Sequence, residues 1–251
     1  MEDSVRVVDR VFDILEVLAG ASSCSLSEIA AETGMSKSTV HRLITSMCSR
    51  QYVQKNGDST YSIGYKLMET VSLHINNLEL LTEAKPFLSD IMRALDLTAH
   101  LGILDGCDVV YLEKMDIYPN TRFYTQVGYR SPAYCSSIGK VLLSCLSGDE
   151  LDEALYNCKF QKFTANTIAD ERELRRHLRV VRHQGWAMDN EEYEMGHRCV
   201  AVPVFDYRGT PVAAVSASGS SAQLSEEKLE IVIREVKQAA ANLSRRLGYI
   251  E

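Results

Sequence analysis

The chain has 251 residues, room for about two domains of ordinary size, and 45% hydrophobic with 24% charged residues is the balance of a soluble folded protein. Its formal net charge of -7 excludes a broadly basic protein that coats nucleic acid by charge alone, so any polyanion contact must sit on a local patch. The N-terminus has no long apolar run or cleavage-site pattern and no segment is apolar enough to cross a bilayer, so a cytoplasmic protein with no membrane partner is expected.

Ser4 to Leu18 places Val8, Val11, Phe12, Leu15 and Leu18 at helical spacing, which predicts a support helix with those five on its buried face. Ser25 and Glu28 then stand in capping-box spacing, Ile29 and Ala30 supply an apolar side, and Gly34 supplies the left-handed residue that closes a short second helix. Ser36 caps a third, in which Val40, Leu43, Ile44 and Met47 recur on one face. The opposite face carries Lys37, Ser38, Thr39, His41 and Arg42, hydrogen-bonding groups near a helix N-terminus, as in the part of a helix-turn-helix that enters the major groove. An ordinary helical hairpin with a wet polar face would read the same way. What favours DNA is the charge: Gly34 to Gly57 holds Lys37, Arg42, Arg50 and Lys55 and no acid, a basic strip inside an acidic chain. The acids Asp9, Asp13, Glu16, Glu28 and Glu32 fall outside it.

Two short β-patterned runs flank Lys55-Asn56-Gly57-Asp58, and Asn-Gly signals a hairpin, a wing with Lys55 at its tip for a phosphate. Residues 1–63 therefore read as a winged helix-turn-helix domain that contacts double-stranded DNA through Ser36, Lys37, Ser38, Thr39, His41, Arg42 and Lys55. Residues 64–78 follow as a helical linker with Leu67, Val71 and Ile75 on one side. A second helix runs from about Leu78 to Leu95 with Pro86 as a start or kink.

From Thr98 the period changes to two. Thr98 to Leu104 and Val109 to Lys114 predict strands joined at Asp105-Gly106, and Arg122 to Val127 predicts a third. Helices are expected over Gly139–Leu146, Asp149–Asn157 and Asp170–His183, the last with Glu173 in capping-box spacing. Strands follow over Trp186–Met188, Cys199–Asp206 and Pro211–Ser218, then a closing helix from Ser225 to Leu247. Residues 79–251 thus form an α+β domain, an antiparallel sheet flanked by helices. The seven cysteines are scattered, which argues against a disulfide framework and for small buried hydrophobes in a reducing compartment.

Three stretches, the SKSTVHRL helix with its support helix, SPAYCSSIGKVLLS, and GWAMDNEEYEMGHRCVAVPVFD followed by AAVSASG, together resemble the IclR family of bacterial transcriptional regulators over nearly the whole chain. RFYTQVGYRSPAYCSSIGK is most similar to its sugar-acid branch, which contains the 2-keto-3-deoxygluconate repressor. The resemblance implies a GAF-like C-terminal domain that binds an effector and supports a homodimer or dimer of dimers on palindromic operators. It also implies a small carboxylate effector, a sugar acid or keto acid, controlling a repressor of catabolic genes. Where many relatives have Thr-Ala before the Gly-Lys step, this chain has Cys135-Ser136-Ser137-Ile138, whose extra hydroxyls bear on ligand choice.

A carboxylate needs fixed donors, and the amides of Ser136, Ser137 and Ile138 stand where a loop becomes a helix N-terminus. Ser216 and Ser218 alternate on a strand and share one side, ordinarily the wet face of a sheet. By resemblance both are effector-contacting positions, as are Asp189 and Cys199, with Asp189 accepting from a ligand hydroxyl. Glu191 and Glu192 read as structural, Glu192 as a solvated surface charge. A competing enzyme reading would make Cys199 a nucleophile on a small carboxylate, with His197 as base and Asp189 as orienter, but i, i+2 spacing on a strand does not secure that geometry. A metal site finds no support in six dispersed histidines and no cofactor is expected. A ligand-independent architectural DNA protein is disfavoured by the size of the second domain.

Overall fold

The computed structural model describes residues 6–76, 79–116 and 126–250. The chain divides into two compact units, residues 1–78 and 79–251.

The first unit runs α1 (Arg6–Ala19), α2 (Leu26–Thr33), α3 (Lys37–Ser49), β1 (Val53–Lys55), β2 (Tyr61–Ile63) and α4 (Tyr65–Asn76). The predicted caps form. Ser25 accepts from the Glu28 amide while Glu28 reaches back to the Ser25 amide, and Gly34 ends α2 at φ +67°. Val40, Leu43, Ile44 and Met47 are buried together with Ile14, Leu18, Ile29, Val53 and Tyr61. Gly64 is required by close approach, since a Cβ there would lie 2.1 Å from the Gln51 carbonyl oxygen.

Two local expectations need correction. On α1 the buried residues are Ile14 and Leu18, with Val11 and Leu15 half-buried; Val8 and Phe12 are exposed, because the helix meets its neighbours through its C-terminal half. In the wing, Lys55 pairs with Tyr61, so the turn is longer than a two-residue Asn-Gly loop. The left-handed residue is Ser59, at φ +64°, and Asp58 accepts from the Thr60 amide and hydroxyl. Lys55 therefore ends a strand instead of crowning the tip. Of the apolar face expected on α4, Leu67 is half-buried, and the side chains of Val71 and Ile75 lie outside those described.

The second unit runs α5 (Glu79–Leu95), β3 (Thr98–Asp105), β4 (Asp108–Met115), β5 (Arg130–Pro132), a 3-10 turn (Ala133–Cys135), α6 (Ser137–Cys145), α7 (Gly148–Leu155), α8 (Glu171–Gln184), β6 (Ala187–Asn190), β7 (His197–Phe205), β8 (Pro211–Ser220) and α9 (Glu226–Arg246). Pro86 lies inside α5 and does not begin it. The strand expected over Arg122–Val127 falls mainly outside the described residues; the third strand here is Arg130–Pro132. Six strands pair antiparallel in the order β5-β4-β3-β8-β7-β6.

Strand register sorts the side chains into two faces. One face sets Ala201 and Ala214 in a core with Ile138, Leu142, Leu174 and Leu178 of α6 and α8. On β8, Ala214, Ser216 and Ser218 share this side by alternation, and pairing adds His100, Cys199 and Asp189 from the neighbouring strands. Residues of opposite parity, among them Val204, Ala213 and Val215, are fully buried as well, so neither face of these central strands is wet.

One local disagreement concerns the cysteines. Cys107, in the β3–β4 turn, is bonded to Cys158, after α7, with Cα atoms 5.6 Å apart. Spacing along the chain carries no sign of this pair, because the two are 51 residues apart and are joined only by the fold.

Candidate nucleic-acid interface and effector cavity

In the first unit Ser36 caps α3, its hydroxyl accepting from the Thr39 amide at 3.3 Å and lying 3.0 Å and 2.9 Å from the Ser38 and Thr39 hydroxyls. That chemistry holds the helix N-terminus open toward solvent. Lys37, Ser38, His41 and Arg42 are exposed on one side of α3, and Thr39 is half-exposed. Lys55 is exposed on the wing. Lys37, Arg42, Arg50 and Lys55 form no ion pair with any described residue, whereas Lys66 of the same unit pairs with Glu69. Exposed cations are suited to phosphate oxygens, and Lys37 stands in the first turn of α3, where the helix N-terminus adds its own donors.

In the second unit a cavity of about 50 Å³ lies on the α6 side of the sheet. Its floor is a row crossing three strands, Asp189, Cys199 and Ser218, with Ser216 and His100 in the next row. One end is formed by Ser136 and Ser137 at the start of α6. Gly139 makes this end possible, since a Cβ there would fall 2.2 Å from the Ala133 carbonyl oxygen, and only glycine lets the 3-10 turn tuck beneath the helix. Ser136 caps α6, accepting from the Gly139 amide at 3.0 Å. The amides of Ser137 and Ile138 are first-turn donors with no acceptor inside the helix. The Ile138 side chain, in contrast, is core and packs toward Gly102.

Six of the seven expected effector residues therefore line the cavity, and the seventh, Ile138, is not among the lining residues. Sequence reasoning missed His100, Tyr111, Tyr129, Ser131, Tyr193 and Glu194, and it named His197 only for the enzyme alternative. The Tyr129 and Tyr193 hydroxyls meet at 2.8 Å. Among the described residues no lysine or arginine lines the cavity.

Burial sets the electrostatics. Asp189 is 4% exposed, and removal from water pushes its carboxyl up to about 7 against the pull of Lys140 and of the Glu192 amide at 2.7 Å. Burial, opposed only partly by Asp116, drops the His100 imidazole to about 3, so it is neutral. Glu192 is not the solvated charge expected from its sequence neighbourhood. It is 5% exposed and ion-paired with the fully buried Lys140, which also donates to the Met188 carbonyl. This pair fastens the Asp189–Glu192 turn to α6.

The enzyme alternative fares poorly on the same ground. Cys199 Sγ does sit 3.6 Å from His197 Nδ1, but burial and the nearby Asp189 carboxyl raise the thiol well above its ordinary range, and burial lowers His197. A thiol held protonated is a poor nucleophile. A wider groove of about 1170 Å³ runs between α8, β7 and α9, but its arginine and lysine groups are already engaged: Arg182 with the Ser144 and Leu146 carbonyls, Lys237 with the Gln184 carbonyl. Among the described residues no cluster fit to hold a metal ion occurs, and no helix is long and apolar enough to cross a membrane.

Comparison with known proteins fits both surfaces. The IclR helix-turn-helix domain matches residues 7–57 and the bacterial transcriptional regulator IclR C-terminal domain matches residues 72–245. The transcriptional regulator KdgR of Escherichia coli is 38% identical over 98% of this chain and 94% of its own, and XynR of the same organism is 34% identical over 98% of each. The crystal structure of the Thermotoga maritima IclR superposes with a TM-score of 0.84 at 34% identity, covering 97% of this chain and 99% of that one. An exposed cationic helix in one unit, a buried polar cavity in a GAF-like other, and these matches along nearly the whole length lead to one conclusion: the chain belongs to the IclR family of bacterial transcriptional regulators.

Proposed function

We propose that this regulator is a ligand-gated repressor of sugar-acid catabolism that acts in the cytoplasm. Residues 1–63 grip operator DNA, 64–78 link, and 79–251 bind the effector and pair subunits. Ser36 sets the start of α3, Lys37, Ser38, Thr39, His41 and Arg42 face the groove, and Lys55 reaches a phosphate from the wing. Two such units in a homodimer, or a dimer of dimers, dock on half-sites of a near-palindrome. The kinship with KdgR and with repressors named AllR supports the repressing role and the class of gene.

The observation that carries the effector reading is the polar row on an otherwise apolar buried sheet face. Ser216, Ser218, Asp189 and His100 are each at most 4% exposed. Polar side chains in a sheet core bring a desolvation cost that apolar residues of the same size avoid, so a core built for stability alone would not gather four of them. In this reading the carboxylate of a small acid rests on the Ser137 and Ile138 amides with the Ser136 and Ser137 side chains. Its hydroxyls meet Asp189, Cys199, Ser216 and Ser218. With an aspartate in the floor and no lysine or arginine among the described lining residues, a second anionic group beside Asp189 would be disfavoured, which favours monocarboxylates over phosphorylated or dicarboxylic sugars. At about 50 Å³ the cavity has space for only a small cluster of waters, so a six-carbon acid requires its walls to move outward. The effector then shifts DNA binding only by its difference in affinity for the two arrangements.

The test is a melting-temperature screen of the purified protein against keto acids and sugar acids, followed by calorimetry on the hit. The hit is expected to lose at least tenfold in affinity in Asp189→Ala and in Ser216→Ala while DNA affinity holds. Wild-type ligand affinity in both variants would remove these residues from the site.

A further inference from the structure

We propose that Cys107 and Cys158 form a thiol–disulfide exchange site, open to small thiols, whose state sets how firmly the segment after α7 is held against the cavity wall. Both residues are half-buried, not sealed, so a small thiol can reach them. Their Cα separation of 5.6 Å suits a bond that forms without backbone movement. Both attachment points are short turns. Cys107 follows Gly106 between β3 and β4, and its carbonyl accepts from the Ala133 amide, which belongs to the 3-10 turn leading into α6.

From Cys158 the chain runs directly toward the cavity. Phe160 packs on Tyr134 with ring centres 4.9 Å apart. The Gln161 amide donates to the Tyr134 hydroxyl at 2.7 Å, and that hydroxyl donates back to the Gln161 carbonyl at 2.9 Å. Phe163 packs on Tyr193, which lines the cavity. The Thr164 hydroxyl donates to the Glu191 carbonyl at 2.7 Å and the Thr167 hydroxyl to the Glu192 carbonyl at 2.6 Å. Residues 158–167 thus form a strap that holds the Asp189–Tyr193 turn from outside, and the disulfide pins the start of this strap to the sheet.

The chemistry is ordinary exchange. A thiolate of a small thiol such as glutathione attacks one sulfur, the S–S bond breaks, and the other cysteine leaves as a thiolate that takes a proton. A second small thiolate displaces the mixed disulfide, leaving two protein thiols and one small-molecule disulfide. The reverse reaction needs only a small-molecule disulfide as oxidant. Opening the bond frees a 51-residue separation from its cross-link and unpins the strap.

The consequence for ligand response rests on the effector reading above, but the staple does not, so the test uses no effector. The full-length protein is equilibrated with oxidised or with reduced glutathione, mapped by non-reducing peptide mass spectrometry, and followed by hydrogen exchange and thermal unfolding. Expected are a Cys107–Cys158 linked peptide in the oxidised sample, a melting temperature roughly 5–10 °C lower after reduction, and at least tenfold faster amide exchange at residues 159–168 and 191–194. Cys158→Ser is expected to behave as the reduced protein under both conditions, and Cys135→Ser to respond as wild type. If the variant does not fold, the wild-type pair of conditions still decides. No linked peptide under oxidised glutathione, or exchange in the strap unchanged by redox state, would overturn the proposal. Should no carboxylate bind the protein at all, the effector reading would fail and this result would stand.

Discussion

The two units place their polar groups in opposite circumstances. On α3 the cations are exposed and form no ion pair with any described residue, so the helix folds without them and holds them ready for a partner that brings negative charge. On the sheet of the second unit the polar groups are buried, and the cations beside them are neutralised, Lys140 by Glu192 and Lys114 by Asp116. A surface site can be added to a stable helix at little cost, whereas a buried one must be supported by partners that bind nothing themselves. Substitution should therefore separate the units cleanly: changes on α3 alter DNA affinity and leave stability alone, and changes behind the cavity alter stability first.

The largest effect is expected at the ion pair. Lys140→Met leaves Glu192 buried without its partner and should cost about 3–5 kcal/mol in urea unfolding, while Lys140→Met combined with Glu192→Leu recovers most of it. A loss under about 1 kcal/mol in the single variant would mean that the pair is wetter than its burial implies.

Asp189 comes next, through pH. Its folded carboxyl titrates near 7 against an ordinary 3.8, so the folded state holds more protons than the unfolded between those values, and stability falls as pH rises through that window. Below about pH 4 both states are protonated and the term vanishes. Asp189→Asn keeps the acceptor for the Glu192 amide and removes the titration. It should exceed wild type in stability at pH 8 by roughly 3–4 kcal/mol, with the gap closing toward pH 4. A constant gap across pH would contradict the assignment.

On the other unit, Arg42→Ala or Lys37→Ala should weaken operator binding about tenfold and lower the salt dependence by about one counterion, with unchanged thermal unfolding. Lys55→Ala, a single contact from the wing, should cost only about two- to threefold in the same titration. Equal effects of Lys55 and Arg42 would argue that the wing, not α3, carries the interface.

Legibility in the sequence follows the same division. Ser25, Glu28, Gly34 and Ser36 act within four residues of themselves, so their spacing was enough to place α2 and α3 and the exposed face. Phe12 shows the limit: its spacing fits a buried stripe, but which turn of α1 meets a neighbour is a tertiary matter. Ser216 and Ser218 share a side by alternation, yet whether that side is wet depends on α6 covering it. Glu192 looked like surface because nothing near it in sequence reveals Lys140, 52 residues away. The tyrosines of the wall and the Cys107–Cys158 pair were hidden for the same reason.

The most direct measurement is fluorescence anisotropy of the purified protein on DNA from its own upstream region, titrated across salt concentration. The account predicts tight binding at low salt that weakens steeply as salt rises, and a shallower slope for Arg42→Ala. No binding at low salt, or identical slopes for wild type and Arg42→Ala, would contradict it.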